Sequence, residues 1–264
     1  MIIDFLPVWV LFILTISTVM IAVEFGYRLG GGVRRKKAEI EKESSASTIS
    51  GIILGLQAFM LAFTFGIVWD RFDDKKALVR EEANAIRTAF KRSDFLSELD
   101  QASTKQLLGD YLDKRIAARK SKDIDSLRSS LPEYLEIHRQ LWEIAVANGK
   151  LDLNSDIGAL YIESLNEIES IHALRITVGL NSRIPTSVWI VLLSLLILGM
   201  VAVGYHSAIA ESRRSRVTPV LALSFSMVIA MIAALDHPGD NLVPVSQQPL
   251  ADVQAELKAK GQIR

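Results

Sequence analysis

Four uncharged apolar blocks constrain this chain more than any other feature of its sequence. They run 5–23, 49–69, 186–205 and 217–235. Each reaches the roughly 20 residues a helix needs to cross the hydrocarbon core of a bilayer. Gln57 is their most polar residue. In 264 residues, four such blocks leave too little chain to cover them as the core of a water-soluble protein. Lipid offers no hydrogen bonds to a bare backbone, so each block must satisfy its own peptide groups as a helix. Composition agrees. The chain is 50% hydrophobic and 23% charged, and its mean hydropathy of +0.26 requires the apolar residues to be segregated and not scattered.

The first block is read as a permanent span and not a cleavable leader. It is too long for a leader's apolar core, starts beside Asp4 with no Lys or Arg, and precedes no small-residue cleavage site. Trp9, Trp69, Trp189 and Tyr205 stand near block ends, where amphipathic rings favour the headgroup layer.

The expected fold is therefore all-α: an integral membrane protein with four transmembrane helices and a helical extramembrane domain between spans two and three. Residues 1–69 form one transmembrane hairpin, 70–185 the extramembrane domain, 186–235 a second hairpin and 236–264 a polar C-terminal tail. Span two has no breaker at its end, so one long helix is expected to continue from it to about Leu96. Helical stripes follow at Leu107, Leu108, Tyr111, Leu112 and Ile116, then at Leu131, Leu135, His138, Leu141, Trp142 and Ala145. The second of these opens on a capping box, Ser130 with Glu133, and ends at Gly149. A last stripe carries Ile157, Leu160, Tyr161, Leu165, Ile168, Ile171 and Leu174, its helix running toward Asn181. No internal repeat is visible, which gives no support to an inverted-repeat transporter.

Basic residues set the expected sidedness. Arg34, Arg35, Lys36 and Lys37 follow span one, and Arg213, Arg214 and Arg216 separate spans three and four. Both loops fall on one side by parity and are cytoplasmic by the positive-inside rule. Both termini and 70–185 are then expected outside the inner membrane, with loops 24–48 and 206–216 inside. The same cations suit anionic lipid headgroups.

Span two carries the candidate site. Gly51, Gly55, Ala58, Ala62 and Gly66 share one face, the small-residue pattern that lets transmembrane helices approach closely. Ser50, Gln57, Thr64 and Arg71 recur every seven residues on a separate stripe, roughly 140° round from that face. Polar residues inside a membrane mark pathways, so these four are candidate pore-lining residues of a homo-oligomer. Phe59 and Phe63 are candidates for an apolar constriction that gates by dewetting. Glu24 is expected to pair with Arg28 one turn on.

Other chemistry finds little footing. Zero cysteines exclude disulfides, thiolate metal sites and cysteine nucleophiles. Thirty basic against thirty acidic residues give no surplus of cations for nucleic acid. His138, His172, His206 and His237 are dispersed. Glu169-x-x-His172 has the spacing of half a carboxylate di-iron site, but no second such pair exists. Nucleophile-elbow, Walker and zincin motifs are missing. Gly30–Gly31–Gly32 reads as a loop at a span end, and Asp236-His-Pro-Gly-Asp240 as a helix stop. No catalytic residue, metal site or cofactor is expected.

Three segments resemble a known family: Glu24-Phe-Gly-Tyr-Arg-Leu-Gly30, Leu61-Ala-Phe-Thr-Phe-Gly66 leading through Arg71 to Glu82-Ala-Asn-Ala-Ile86, and Leu235-Asp-His-Pro238 with Val245-Ser-Gln-Gln-Pro-Leu250. Their order and spacing resemble the bestrophin-like family of bacterial four-span membrane proteins, a family without assigned activity. The name implies kinship with bestrophins, oligomeric anion channels whose second span lines the pore. The resemblance thus implies a homo-oligomer passing a small anion. Two departures stand out: the acidic calcium-clasp run of the eukaryotic channels is missing, and bestrophin termini are cytosolic. The alternative, of a different class, is a non-conducting membrane anchor or sensor that presents its helical domain to a protein partner.

Overall fold

The computed structural model describes residues 7–35, 43–120, 131–210, 217–237 and 242–260. Its helices are α1 (Val8–Arg35), α2 (Glu43–Arg92), α3 (Glu98–Lys120), α4 (Leu131–Leu151), α5 (Asp156–Ile176), α6 (Thr186–Ile209), α7 (Thr218–Asp236) and α8 (Gln248–Ala259). A 3-10 turn, Ser93–Phe95, follows α2, and a π-helical turn, Thr177–Asn181, follows α5. Among the described residues all regular structure is helical, and α1, α2, α6 and α7 are long and apolar enough to cross a membrane. Span two and the first extramembrane helix are one continuous helix, as the absence of any breaker predicts.

The chain divides into two units. The first comprises Met1–Asp70 and Arg183–His237. Within it α1 packs against α6 and α7. Gly26 and Gly30 on α1 meet Gly204 and Ala208 on α6 so closely that no side chain fits between the backbones. A methyl on Gly26 would land on the Val201 carbonyl oxygen, and one on Gly204 on that of Val23. A methyl on Gly30 would stand 2.7 Å from the Tyr205 carbonyl oxygen. Where lipid is as apolar as leucine, this close van der Waals approach holds the helices together. The far ends of α6 and α7 are tied by Asp236, whose carboxylate accepts from the Ile184 amide at 3.0 Å and lies 3.9 Å from Arg183 Nη1. Asp236 is thus a structural tie between two spans. The Glu24–Arg28 pair forms, at 2.7 Å.

Two sequence expectations change in this unit. Gly30–Gly31–Gly32 is helical, because α1 runs twelve residues past the expected end of span one at Val23 to Arg35. Trp189 is buried and does not sit at a lipid-facing position. Arg34 is exposed on the last turn of α1. The Arg35 side chain, Lys36, Lys37, Arg213, Arg214 and Arg216 lie outside the described residues, as does Ser130.

The second unit comprises Arg71–Ser182 and Pro238–Arg264. Its core joins Val79, Ile86 and Phe90 of α2 to Leu108, Tyr111 and Leu112 of α3, Tyr134 and Leu141 of α4, and Tyr161 and Ile168 of α5. Helix α5 starts at an N-cap, Ser155, whose hydroxyl accepts from the Gly158 amide at 3.1 Å. The α4 stripe is turned from its expected register. Tyr134, Ile137, Leu141 and Ala145 face inward, while Leu135 and Trp142 are exposed. The tyrosine ring and Ile137 bury apolar area on the face that the leucine pattern had assigned to solvent. Helix α4 also passes Gly149 by two residues. The expected polar tail 236–264 is corrected for α8: Leu250, Val253 and Leu257 are core residues, and α8 packs on α3.

Candidate functional site: the outer face of span two and a buried charge centre

Helix geometry divides the candidate pore residues of span two. Gln57 and Phe59 are two positions apart, about 200° of helix turn, so they point to nearly opposite sides. Ser50, Gln57 and Thr64 turn into the first unit and are buried there. Ser50 Oγ donates to a backbone carbonyl, that of Ala46 at 2.8 Å or that of Ala202 on α6 at 3.0 Å. Thr64 Oγ1 donates to the Met60 carbonyl at 2.7 Å. Gln57, only 1% exposed, places its carboxamide over Gly199 of α6, and neither Oε1 nor Nε2 has a hydrogen-bond partner. Arg71 is half-buried and opens the second unit.

The opposite side of the helix is open. Phe59 and Phe63 are 65% and 59% exposed, their rings stacked 6.4 Å apart at 15°. Gly51, Gly55 and Gly66 have nothing within 4 Å of where a Cβ would be, and Ala58 and Ala62 are exposed. The small-residue face and the two phenylalanines therefore form one free apolar surface of α2. The close helix packing within a single chain is made elsewhere, by Gly26, Gly30, Gly204 and Ala208. The Gly26-x-x-x-Gly30 and Gly204-x-x-x-Ala208 spacings were the sequence signal for it.

A second constellation was not picked out from the sequence. Glu82 of α2 is 0% exposed in the second unit, yet it is ionised, because three donors converge on it. Tyr111 Oη donates to Glu82 Oε1 at 2.5 Å, and Arg115 Nε to the same oxygen at 2.8 Å. Arg175 Nη1 donates to Oε2, and Arg175 Nη2 donates to Gln247 Oε1 at 3.0 Å. The Arg115 guanidinium also lies against two rings, 5.0 Å from Tyr134 and 5.5 Å from Tyr111. The carboxylate thus ties α2 to α3 and α5, and Arg175 extends the network to the segment leading into α8.

Burial would raise the Glu82 carboxyl; the charges of Arg175 and Arg115 overcome it and hold the group below the usual carboxylate range. Burial, reinforced by Glu82, pushes the Tyr111 phenol well above its ordinary value, so it stays a donor. Burial works against the charge on both arginines. It is outweighed at Arg115 by Tyr111 and Glu82, while at Arg175 the net direction is downward. An arginine remains protonated across the physiological range in either case.

Two imidazoles adjoin this centre. The His138 and His172 rings are 5.7 Å apart, His138 edge-on to Tyr111 at 5.4 Å and His172 tilted on Tyr134 at 5.4 Å. Burial, then Arg115 and His138, lowers His172 to about 4. Burial also lowers His138, with Glu169 opposing and Arg115 assisting. Both are neutral at pH 7. No group of three or more histidine, aspartate or glutamate side chains that could hold a metal occurs among the described residues.

The local sequence signal for this centre was present. Glu82 lies between Val79 and Ile86 on the apolar face of α2, and Arg115 one turn after Tyr111 and Leu112. A charge on a core face must find a partner or cost several kcal/mol. Which partner it finds is decided by tertiary packing.

Comparison with known proteins agrees with this architecture. The fold is similar to that of a membrane protein solved as a single serine-to-alanine variant, with TM-score 0.64 and 14% identity over 97% of this chain and 98% of that one. It is also similar to a bacterial bestrophin homologue from Klebsiella pneumoniae solved as an isoleucine-to-alanine variant, with TM-score 0.62 and 14% identity over 94% and 96%. No curated protein sequence matches the chain. The family model described as the Bestrophin-like domain matches residues 9–250, from the start of span one into the C-terminal helix, and this multi-pass membrane protein therefore belongs to the Bestrophin-like family.

Proposed function

We propose that the protein is a homo-oligomeric channel for small anions, assembled so that the outer face of span two borders the conducting path. One observation carries this reading. A membrane-spanning helix holds a stacked phenylalanine pair, Phe59 and Phe63, on an unpacked face of small residues. Small residues allow the same helix from several copies to approach one axis, and the rings then form an apolar ring that gates by dewetting. Behind that face, Ser50 reaches the Ala202 carbonyl and Gln57 lies over Gly199, which sets the rotation of α2 against α6. The family membership supports the class of function, as fold-level analogy. Arg34, on the last turn of α1, engages anionic headgroups on the cytoplasmic leaflet, which leaves the termini outside.

Purified protein in chloride-loaded vesicles is expected to pass chloride. Phe59→Ala and Phe63→Ala should raise the flux several-fold by lowering the dewetting barrier. Silent vesicles containing verified, folded protein would reject conduction. A rival reading rests on the exposed Phe95, Leu99, Leu151 and Leu153 of the second unit, an apolar surface suited to a protein partner. In that case the vesicles stay silent and crosslinks from these residues capture a partner chain.

A further inference from the structure

In the second unit two largely buried cations gather around one fully buried anion. Glu82 faces two guanidiniums, those of Arg115 and Arg175, so its immediate surroundings carry one positive charge beyond neutrality. His138 and His172 sit one aromatic ring away, His138 against Tyr111 and His172 against Tyr134, the two rings that flank Arg115. His138 Nε2 and His172 Nδ1 are buried without a hydrogen-bond partner.

The groups facing this imidazole pair come from every helix packed around it. Helix α2 presents Glu82, α3 presents Tyr111 and Arg115, α4 presents Tyr134, and α5 presents Glu169 and Arg175. The segment before α8 presents the neutral Gln247. On α8 itself, Glu256 is engaged by Arg87 at 3.1 Å and Lys260 at 2.7 Å. The carboxylates near the imidazoles are thus Glu82, already shared by two arginines, and Glu169.

We propose that His138 and His172 form the proton-binding element of the second unit, and that their protonation loosens the Glu82 centre and releases the C-terminal segment anchored there through Gln247. Adding protons places new cations against Arg115 and Arg175, with Glu169 the one nearby carboxylate not already shared by those arginines. The cluster relieves this by moving apart. Arg175 is the element that transmits the movement, because it holds Glu82 with one nitrogen and Gln247 with the other. The effect does not depend on conduction.

The chain has no cysteine, so a spin-label pair can be placed cleanly. Ala117→Cys on α3 and Ala255→Cys on α8 are both exposed. In the full-length protein in lipid nanodiscs, the inter-label distance distribution is narrow at neutral pH. Near pH 4, about where His172 titrates, a longer and broader population should become the majority and revert on neutralisation. The same pair carrying His138→Phe and His172→Phe should keep its neutral-pH distribution in acid. If those substitutions alter the neutral-pH distribution, His138→Gln with His172→Gln takes their place. A parent protein with one distribution at both pH values overturns the proposal without recourse to any variant. So does a double-substituted protein that broadens as the parent does.

Discussion

Gly199 of α6 lies directly against the Gln57 carboxamide of α2: a methyl group added to Gly199 would stand 2.9 Å from Gln57 Oε1. The polar side chain occupies a notch made by a glycine, and its amide is buried without a partner. Leaving a buried polar group unsatisfied costs about 1–3 kcal/mol. Gln57→Leu, close in volume and without polar atoms, is therefore expected to hold or raise stability, by about 1 kcal/mol. Gly199→Val should lower it by pressing on the amide. Thermal melts in detergent check both. A large loss for Gln57→Leu would overturn the reading of Gln57 as an unsatisfied buried amide.

Small residues in the spans fall into two groups with different expected phenotypes. Gly26→Leu or Gly204→Leu forces α1 off α6, since each new side chain meets backbone. Overpacking of this kind costs about 1–3 kcal/mol or more, read as a lower melting temperature and less folded protein. Gly55→Leu meets open space in the single chain, so the subunit should fold normally. Its effect is expected on assembly, as a smaller particle by size-exclusion chromatography with light scattering. Identical behaviour of Gly26→Leu and Gly55→Leu would count against the division.

Glu82→Gln is expected to be the most damaging single change in the second unit. It leaves Arg115 and Arg175 buried without their anion, and breaking a buried ion pair from one side costs about 3–5 kcal/mol. Limited proteolysis should then cut within α3–α5 of the variant while the parent resists. Acid acts on the same centre in two windows. The His172 pKa falls from about 6.5 unfolded to about 4 folded, so the unfolded chain takes up the proton first. Stability is full above about 6.5 and falls as pH drops toward 4. The Glu82 carboxyl is held below its usual value of 4.5, so its contribution is full above that value and is lost progressively as pH falls below it. Denaturation followed against pH should show the first loss in the parent and little of it in His172→Phe.

Sidedness is checked by reporters joined after Arg264. Under the proposed sidedness, which the positive-inside rule supports, alkaline phosphatase there is expected to be active and green fluorescent protein dark. The opposite result would reverse the topology of the whole chain, and α3–α5 with it, since α8 packs on α3.

The sequence by itself determined that this is an all-helical protein with four spans, and that the helix of span two runs on unbroken past Trp69. Those features depend on runs of local residues: apolar length against bilayer thickness, and the absence of a breaker after Trp69. It also displayed both stripes of span two, but a stripe states only which residues share a side. Whether that side meets a neighbour in the same chain or open space depends on what α6 offers opposite it. There the tertiary structure decided, burying Gln57 over Gly199 and leaving Phe59 and Phe63 free. The Glu82 centre follows the same logic. A charge on an apolar face is visible in one helix, while its answer comes from Tyr111, Arg115, Arg175 and Gln247, which are 29 to 165 residues away in sequence. Electrostatic partners inside a core are chosen by distance in space, and no local pattern encodes that.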